Sequence, residues 1–455
     1  MTRTDLPMPD EQALEAWVVD QRWFGSKARE VVHLAVLDVV PLRLEPQPLA
    51  SILVEARFAP GTHEIYQVPV GFRKGAASGA IAKADGFTVY DALGDPAQSL
   101  ALLDLMRRDA RLESEHAVSE FHWVEGAYDP GSGASVRPMG AEQSNSSVVF
   151  GDALTLKIYR RVEAGINPEL ELLRFLTEHE FANVPALAGW YEYTGTLMEA
   201  TLGVMQEFLP GARDGWELAL DELGGDPDAF LARVRSLGEV TGELHTVLGS
   251  DPTDPAFAPE EPSSESLGLL TATVDEEIER IFFELPDDDS LEPIAGRGEE
   301  VREQLRLLTH VGAAGKVIRT HGDYHLGQTI LTERGWVVLD FEGEPARTLP
   351  ERRRKRSPLR DVAGMMRSFA YAATASETPP PEDWEARARE DFLDAYLQYA
   401  DPSLLPPGRQ GVEQLLSVFE LEKAVYELRY ELNHRPDWVR IPVASILRLL
   451  EVPAR

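Results

Sequence analysis

Two stretches of the chain decide its fold: HGDYHLGQ at residues 321–328 and VVLDFEG at residues 337–343. In the first stretch, Asp323 stands five residues before Gln328. In the second, Asp340 follows an apolar run that is typical of a β-strand. A loop between two strands can aim two carboxylates and the amide between them at one point. The pattern therefore predicts that Asp323, Gln328 and Asp340 share a site.

Phosphoryl transfer needs this set of groups. One carboxylate orients the attacking hydroxyl, and a second carboxylate with another oxygen donor holds Mg²⁺ against the phosphates. Protein kinases have H-R-D-x-x-x-x-N and then D-F-G, and here Gln328 replaces the Asn while Asp340 opens Asp-Phe-Glu. Asp is also common in turns and at strand ends. Both halves at this separation favour Asp323 as the catalytic residue and Gln328 with Asp340 as metal ligands.

A kinase also needs a cation for the ATP phosphates. Lys157 lies in the second strand of a predicted hairpin, and Glu171 lies in the helix that follows. This order repeats the pair of a strand Lys and a helix Glu in protein kinases. Glu169 is the competing partner, two residues away and on another face of the helix. Alone, Lys157 would be a surface lysine; the 321–343 pattern favours an ATP-binding role.

Other candidate nucleotide contacts come from the segments around this lysine. No Gly-rich loop precedes it, and residues 141–147, AEQSNSS, offer small polar side chains instead. Ser144 and Ser146 are therefore predicted to contact phosphates. The apolar run 204–209 is predicted to be the strand that crosses to the hinge, or a plain buried strand. Its backbone groups are predicted to hydrogen-bond adenine at Gln206, Glu207 and Phe208.

The order of predicted elements indicates an α+β fold. A helix is expected at 11–23 and a further helical stretch at 96–120. Strands are expected at 32–40, 51–58, 65–70, 147–150, 154–159, 316–320 and 336–341. Asn167 is a plausible N-cap with Pro168 at the first helical position. The sequence from 215 onward is mostly helical, and we expect three parts: a cap at 1–95, an N-lobe at 96–209 and a helical C-lobe at 210–455.

Composition narrows the function classes. The 455 residues include 44 Lys and Arg against 77 Asp and Glu, a net charge of −33. This acidity argues against nucleic acid as a partner. The one basic run, 352–356, is interpreted as a local clamp for an anion or for acidic neighbours. The absence of Cys excludes disulfides and thiolate sites. Without a signal sequence or long apolar run, we expect a cytoplasmic protein with no membrane contact.

HGDYHLGQ, DFEGEP, SPLRDVAGMMRSFAYAA and AEQSNSSVVF together resemble the actinobacterial maltokinases. QRWFGSKAR and AVYELRYELNHRPDWVRIP extend the resemblance over nearly the whole chain. These proteins belong to the aminoglycoside-phosphotransferase-like branch of the kinase fold. The resemblance implies a bilobal protein-kinase-like fold with an N-terminal β-rich cap subdomain. It also implies ATP-dependent formation of maltose 1-phosphate for α-glucan synthesis, with Asp323 as base, Gln328 and Asp340 holding Mg²⁺, and Lys157 on phosphate.

The sugar is less determined than the reaction, because related proteins of the same architecture phosphorylate glucosamine. The segment Glu422 to Arg435 is the candidate sugar site, since charged and aromatic residues recur there at helical spacing. The alternative is that Glu427 and Glu431 pair with Lys423 and His434 on a solvated helix. The predicted substrate-binding residues are Asp323, His325, Tyr426, Glu427, Glu431 and Trp438.

Two further alternatives remain, and three supporting roles are expected. An aminoglycoside kinase would share the fold, and a catalytically silent pseudokinase would bind a partner through its cap. A trehalose-pathway enzyme is a candidate partner, and a monomer is favoured.

Arg360 and Asp361 are expected to anchor the helix behind the site rather than touch substrate. His245 is expected to be a packed helix residue.

Overall fold

The computed structural model describes residues 6–59, 61–140, 144–308 and 314–451. It divides into two compact units, residues 1–177 with 185–211 and residues 178–184 with 212–455. Strands dominate the first unit and helices the second, which confirms the α+β class. The three-part division of the chain remains a prediction.

An antiparallel sheet begins the first unit, in strand order β1-β2-β3-β5-β4. The side chains of its central strands, β2 and β3, are mostly aliphatic or aromatic and almost all buried. These residue types favour a strand conformation, which explains why the two segments lie within the sheet. The predicted N-terminal helix and first three strands are confirmed. The elements are α1 (Glu11–Asp20), β1 (Val31–Arg43), β2 (Leu49–Phe58), β3 (His63–Arg73), β4 (Ala80–Ala84) and β5 (Phe87–Asp91).

A seven-stranded antiparallel sheet completes the first unit, in strand order β6-β7-β12-β13-β10-β9-β8. The short β11 instead pairs with β3 of the first sheet. Within the unit, the Gln67 side chain also donates to the Tyr159 carbonyl at 3.0 Å. The elements are α2 (Pro96–Arg107), β6 (Arg111–Glu113), β7 (Ala117–Trp123), β8 (Val136–Met139), β9 (Asn145–Phe150), β10 (Leu154–Tyr159), β11 (Arg161–Val162), α3 (Pro168–Glu178), β12 (Leu187–Gly195) and β13 (Glu199–Glu207).

The predicted helix over 96–120 is wrong in its second half. The helix ends at Arg107, and Asp109 adopts a positive φ of 44° that turns the chain. Residues 117–123 then alternate between buried and partly exposed positions, which is the period of a strand. Apolar residues were frequent enough in this segment for a helical interpretation, but their alternation determines β7.

The predicted hairpin and helix cap around Lys157 are confirmed. Gly151 and Asp152 take φ values of 58° and 49° in the turn between β9 and β10, as tight hairpin turns require. Asn167 then accepts the Glu169 backbone N–H at 2.8 Å, just before α3. The local sequence therefore determines where the lysine strand and the glutamate helix begin.

The second unit is mainly helical and contains one three-stranded sheet, in order β14-β15-β16. Four of its helices, α6, α7, α11 and α12, bury a shared aliphatic cluster. The elements are β14 (Arg213–Asp214), α4 (Gly215–Gly225), α5 (Pro227–Leu248), α6 (Ser264–Phe283), α7 (Gly298–Leu308), β15 (Thr329–Thr332), β16 (Gly335–Val338), α8 (Leu349–Arg352), α9 (Leu359–Ala375), α10 (Trp384–Tyr399), α11 (Gly408–His434) and α12 (Arg440–Leu450).

The strands predicted at 316–320 and 336–341 need correction. Val317 and Ile318 form only isolated bridges, to Glu260 and Arg356 respectively, and neither bridge is extended into a ladder. β16 ends at Val338, before Asp340 takes a positive φ of 59°. The residues that follow the catalytic-loop sequence form β15, which the sequence did not predict.

No helix among the described residues is both long and apolar enough to cross a bilayer.

The contact between α5 and α10 depends on glycine, and it supplies the first prediction. A Cβ added to Gly238 would collide with the Phe392 carbonyl oxygen of α10. We expect Gly238→Ala to lower the free energy of unfolding by about 1–3 kcal/mol, measured by urea denaturation. Gly224→Ala in α4 is the control, because nothing lies within 4 Å of its added Cβ, and the gain in helix propensity should leave stability unchanged or higher. Equal stability of the two variants would contradict the predicted clash.

Candidate functional site

The loop that carries Asp323 is held from behind by a buried carboxylate. Asp361, in the first turn of α9, accepts the backbone N–H groups of His321 at 2.8 Å and Gly322 at 3.0 Å. His245 on α5 lies 3.2 Å from the same carboxylate. Burial raises the pKa of Asp361, but these hydrogen bonds and the neighbouring imidazoles outweigh burial and lower it. Asp361 thus ties α9 to this loop, and His245 is a packed helix residue that supports it. Arg360 and Asp361 both line a cavity beside Asp323, so the expectation that they do not touch substrate stays a prediction.

Asp323 follows a glycine that the loop geometry requires. Gly322 has a φ of 84°, a conformation that costs little for glycine, and the next residue donates its N–H to His321 Nδ1 at 3.3 Å. The His321 ring in turn reaches the Leu339 carbonyl through Nε2 at 2.8 Å. The side chain of Asp323 remains about a quarter exposed and lines a cavity. Its backbone is thus fixed while its carboxylate faces the space that a ligand could fill.

His325 lies beside the candidate catalytic carboxylate of Asp323. Its Nε2 is 4.0 Å from Asp323 Oδ2, and its Nδ1 accepts the Gly327 N–H at 3.1 Å. Burial lowers the pKa of His325 and the negative charge of Asp323 opposes that shift only in part. The neutral ring then carries its proton on Nε2, the nitrogen that faces the carboxylate. His325 orders the loop, and it is not among the residues that line the neighbouring cavity.

Gln328 and Asp340 meet, as the sequence predicted. Gln328 Nε2 donates to Asp340 Oδ2 at 3.3 Å, and the Leu339 N–H donates to the Gln328 carbonyl at 2.9 Å. The positive φ of Asp340 turns its side chain away from the strand direction of β16, and Phe341 behind it is fully buried. Amide and carboxylate oxygens are the hard ligands that Mg²⁺ binds, so this pair fits the predicted metal.

A cavity of about 360 Å³ lies next to Asp323, within the second unit. One wall is α11, which contributes Phe419, Lys423 and Tyr426. The segment after β16 forms another wall and carries several arginines. The charged residues in the lining are Glu277, Asp323, Glu344, Arg347, Glu351, Arg352, Arg356, Arg360, Asp361, Glu422, Lys423 and Arg429.

Of the residues predicted on the C-terminal helix, Tyr426 lines the cavity and Glu427, Glu431 and Trp438 do not. Glu427 is buried against Arg367 of α9, with carboxylate-to-guanidinium distances of 3.0 and 2.5 Å. Glu431 accepts from the Tyr371 hydroxyl at 3.0 Å and pairs with Arg435.

The three residues have other roles because their partners come from a distant helix. Trp438 stacks on Tyr371 with ring centroids 5.8 Å apart. The alternative of a solvated ladder with Lys423 and His434 is also wrong, since both carboxylates are buried. The inward face of α11 holds the helix to α9, and the turns that carry Lys423 and Tyr426 reach the cavity.

The candidate ATP lysine pairs with the second of its two predicted partners. Lys157 Nζ lies 2.9 Å from Glu169 Oε2, and the Tyr159 hydroxyl donates to the same oxygen at 2.7 Å. Because Glu169 follows Pro168 in the first turn of α3, its carboxylate is placed at the start of the helix, where negative charge is favourable. Glu171 is also buried, and its role at the nucleotide remains a prediction.

Of the two serines predicted to contact phosphate, Ser146 faces away from the lysine. It lies opposite Ile158 in the β9–β10 ladder, so it points to the other face from Lys157, and its hydroxyl accepts from Arg160 at 2.8 Å. The residues on the face of Lys157 are Asn145 and Ser147. The two-residue period of a strand was the signal that could have identified them. Ser144 is exposed, and residues 141–143 lie outside the described residues.

The candidate adenine segment, Gln206 to Phe208, ends β13. Its Glu207 N–H donates to the Ala186 carbonyl at 2.9 Å and its Phe208 N–H donates to the Ala153 carbonyl at 2.7 Å. These two donors are therefore engaged inside the first unit, and adenine recognition at this segment would use its other backbone groups. Sequence reasoning also missed Tyr159, because its partner Glu169 comes from the next helix.

Two family models match the chain. The model described as the maltokinase N-terminal cap domain matches residues 17–95, and the phosphotransferase enzyme family, APH, matches residues 135–406. Glucosamine kinases are similar in sequence. The one from Streptacidiphilus jiangxiensis is 28% identical over 328 residues, covering 68% of this chain and 72% of the relative. The one from Mycolicibacterium smegmatis is 28% identical over 333 residues, covering 69% and 79%.

A solved structure shares the fold. Glucosamine kinase in complex with glucosamine, ADP and inorganic phosphate has a TM-score of 0.73 at 20% identity, with 98% of this chain and 100% of that chain covered. The phosphotransferase match alone spans more than half of the 455 residues. The chain therefore belongs to the phosphotransferase enzyme family, with a maltokinase-type N-terminal cap domain, and is an ATP-dependent phosphotransferase with a hydroxyl acceptor.

Proposed function

We propose that the chain is a sugar kinase that transfers the γ-phosphoryl group of ATP to the reducing-end hydroxyl of maltose, forming maltose 1-phosphate. The kinase assignment rests on Asp323, which lines a cavity and lies on a loop that Asp361 fixes from behind. The cap-domain match and the charge of the cavity support maltose. As a proposal, the enzyme is cytoplasmic and its product serves α-glucan synthesis.

The proposed reaction is direct in-line transfer. The acceptor oxygen forms a bond to the γ-phosphorus, the bond to the β–γ bridging oxygen breaks, and ADP leaves. Asp323 orients the hydroxyl and takes its proton, while Lys157, held by Glu169, offsets charge on the phosphates. Gln328 and Asp340 would hold Mg²⁺, which supplies neutralisation of phosphate charge. Positioning and electrostatics then provide the rate enhancement, and no covalent enzyme intermediate is needed.

Cavity charge distinguishes the two candidate sugars. Glu277, Glu344 and Glu422 lie within 2.5–2.9 Å of arginine side chains and are thereby neutralised. Lys423, in contrast, forms no ion pair within the part of the chain that the structure describes. A cation in the lining disfavours the ammonium of glucosamine and is neutral toward the hydroxyls of maltose. Tyr426, on the same wall, offers an aromatic surface for a sugar.

Glucosamine remains the second candidate, because both curated relatives given above are glucosamine kinases. A pseudokinase is the remaining alternative from another class. The joint presence of Lys157, Asp323, Gln328 and Asp340 argues against it.

Asp323→Asn should separate chemistry from nucleotide binding. We expect kcat to fall by about 10²–10⁴, because the proton acceptor is lost, while ATP affinity by calorimetry changes little. Asp340→Asn is the comparison variant, since Asn tolerates the positive φ and removes the charge. It should instead weaken ATP binding in the presence of Mg²⁺. Turnover near wild type in Asp323→Asn would refute the assignment.

Glu169→Gln should reveal the partner of Lys157. Loss of a charge-assisted hydrogen bond of about 1.5–3 kcal/mol is expected to reduce kcat/KM for ATP by about 10–100-fold. Glu178→Gln, exposed at the end of the same helix, is the matched control and should resemble wild type. A larger loss in Glu171→Gln than in Glu169→Gln would restore Glu171 as the functional partner.

Lys423→Gln should change the choice of sugar. ATP consumption by wild type is expected to have a higher kcat/KM with maltose than with glucosamine or glucose. Removing the cation should raise the ratio of glucosamine to maltose turnover by about tenfold, since each 1.4 kcal/mol corresponds to that factor. Preferential turnover of glucosamine by wild type would make the second candidate the correct one, and turnover of no sugar would favour the pseudokinase.

A further inference from the structure

The segment from Arg347 to Arg360 reverses the charge of the chain. It contains seven Lys and Arg residues and a single acid, Glu351, in a protein of net charge −33. Part of this charge is used locally: Lys355 donates to the carbonyls of Pro255 and Ala258, both at 2.7 Å. The local-clamp interpretation of the basic run thus holds for Lys355, but it does not account for the arginines that face the interior.

Three of these arginines line two adjoining spaces. Arg347, Arg356 and Arg360 lie in the wall of the cavity that contains Asp323, and also in the wall of a second cavity of about 420 Å³. The second cavity belongs to the same unit and is closed on other sides by residues of α6 and α11. The arginines therefore stand where the two spaces meet.

The middle arginine lacks an acidic partner. Arg347 pairs with Glu344 at 2.5 Å, and Arg360 lies 2.9 Å from Glu422. Arg356 forms no ion pair with any carboxylate of the described residues; its guanidinium reaches the Glu351 carbonyl at 3.4 Å. Burial, together with the charges of Arg347 and Arg360, lowers the pKa of Arg356 to about 10, and the nearby carboxylates of Glu422 and Glu344 oppose this shift only in part.

A buried hydroxyl beside it also lacks a partner. Ser357 is 9% exposed and lines the second cavity. Its Oγ is buried and has no hydrogen-bond partner among the described residues. Buried hydroxyls are normally hydrogen-bonded, because an unpaired one costs free energy. A half-buried cation and an unpaired buried donor on consecutive residues are the groups that an oxyanion would satisfy together.

We propose that Arg356 and Ser357, flanked by Arg347 and Arg360, form an oxyanion subsite for a phosphate group that is not one of the phosphates of ATP. The subsite adjoins the space assigned to the acceptor, and to that extent it rests on the proposed function. Its ligand is either inorganic phosphate or the phosphate of a phosphorylated sugar, since the two present the same tetrahedral oxyanion. Binding there would couple phosphate or product concentration to use of the acceptor cavity.

Direct binding without nucleotide or acceptor tests the subsite. Calorimetric titration of the full chain with inorganic phosphate, and separately with maltose 1-phosphate, is done at matched ionic strength with chloride as the reference salt. We expect saturable binding of at least one ligand, weakened tenfold or more in Arg356→Gln. Arg353→Gln is the matched control, because it belongs to the same basic run but lies in neither cavity wall.

Ser357→Ala keeps the test decisive if the arginine variant does not fold. Removing an unpaired buried hydroxyl should leave the thermal midpoint unchanged or higher, yet weaken phosphate binding. Binding of phosphate by itself would identify inorganic phosphate as a ligand, and binding of the sugar phosphate alone would identify the product. No saturable binding of either, or equal weakening in Arg353→Gln, would overturn the proposal. These outcomes are independent of whether maltose is turned over, which tests the proposed function separately.

Discussion

The geometry of the candidate catalytic loop in the second unit depends on the buried carboxylate of Asp361. A charge removed from water is costly unless donors surround it, and here two backbone N–H groups and an imidazole do so. The hydrogen bonds that compensate the buried charge also fix the backbone immediately before Asp323. Gly322, between His321 and Asp323, has the positive φ that lets the chain turn so that both N–H groups reach one carboxylate. The backbone position of Asp323 is thereby fixed by Asp361 of α9 and His245 of α5, which are both distant from it in sequence.

What the sequence could predict depends on how far apart along the chain the interacting residues lie. Gln328 and Asp340 lie twelve residues apart on one hairpin, so spacing alone was sufficient to predict their contact. The strand that carries Lys157 was predictable for the same reason, but the contact of Lys157 with Glu169 was not. The choice between Glu169 and Glu171 depends on how the first turn of α3 is oriented against β10, which the cap residue and the strand determine jointly. The spacing of residues along the chain does not specify that orientation.

The errors on α11 have a related cause. A helix with charged residues at three- and four-residue intervals has a face, but the sequence does not say what that face meets. Glu427 and Glu431 face Arg367 and Tyr371, which lie sixty residues earlier in α9. Such buried pairs are hard to predict because carboxylates are mostly exposed, and only a specific partner makes burial tolerable.

Charge distribution then links fold to selectivity. An acidic protein that binds anionic substrates must concentrate its cations, and this chain does so beside Asp323 while pairing three of the six acids that line the cavity with arginines. A neutral disaccharide enters such a lining without electrostatic cost. Under the proposed function, an amino sugar would bring a positive charge that must be desolvated near Lys423, while Glu277, Glu344 and Glu422 are already paired with arginines. Selection between sugars of similar shape can therefore rest on an unfavourable interaction with the wrong substrate, rather than on extra contacts with the right one.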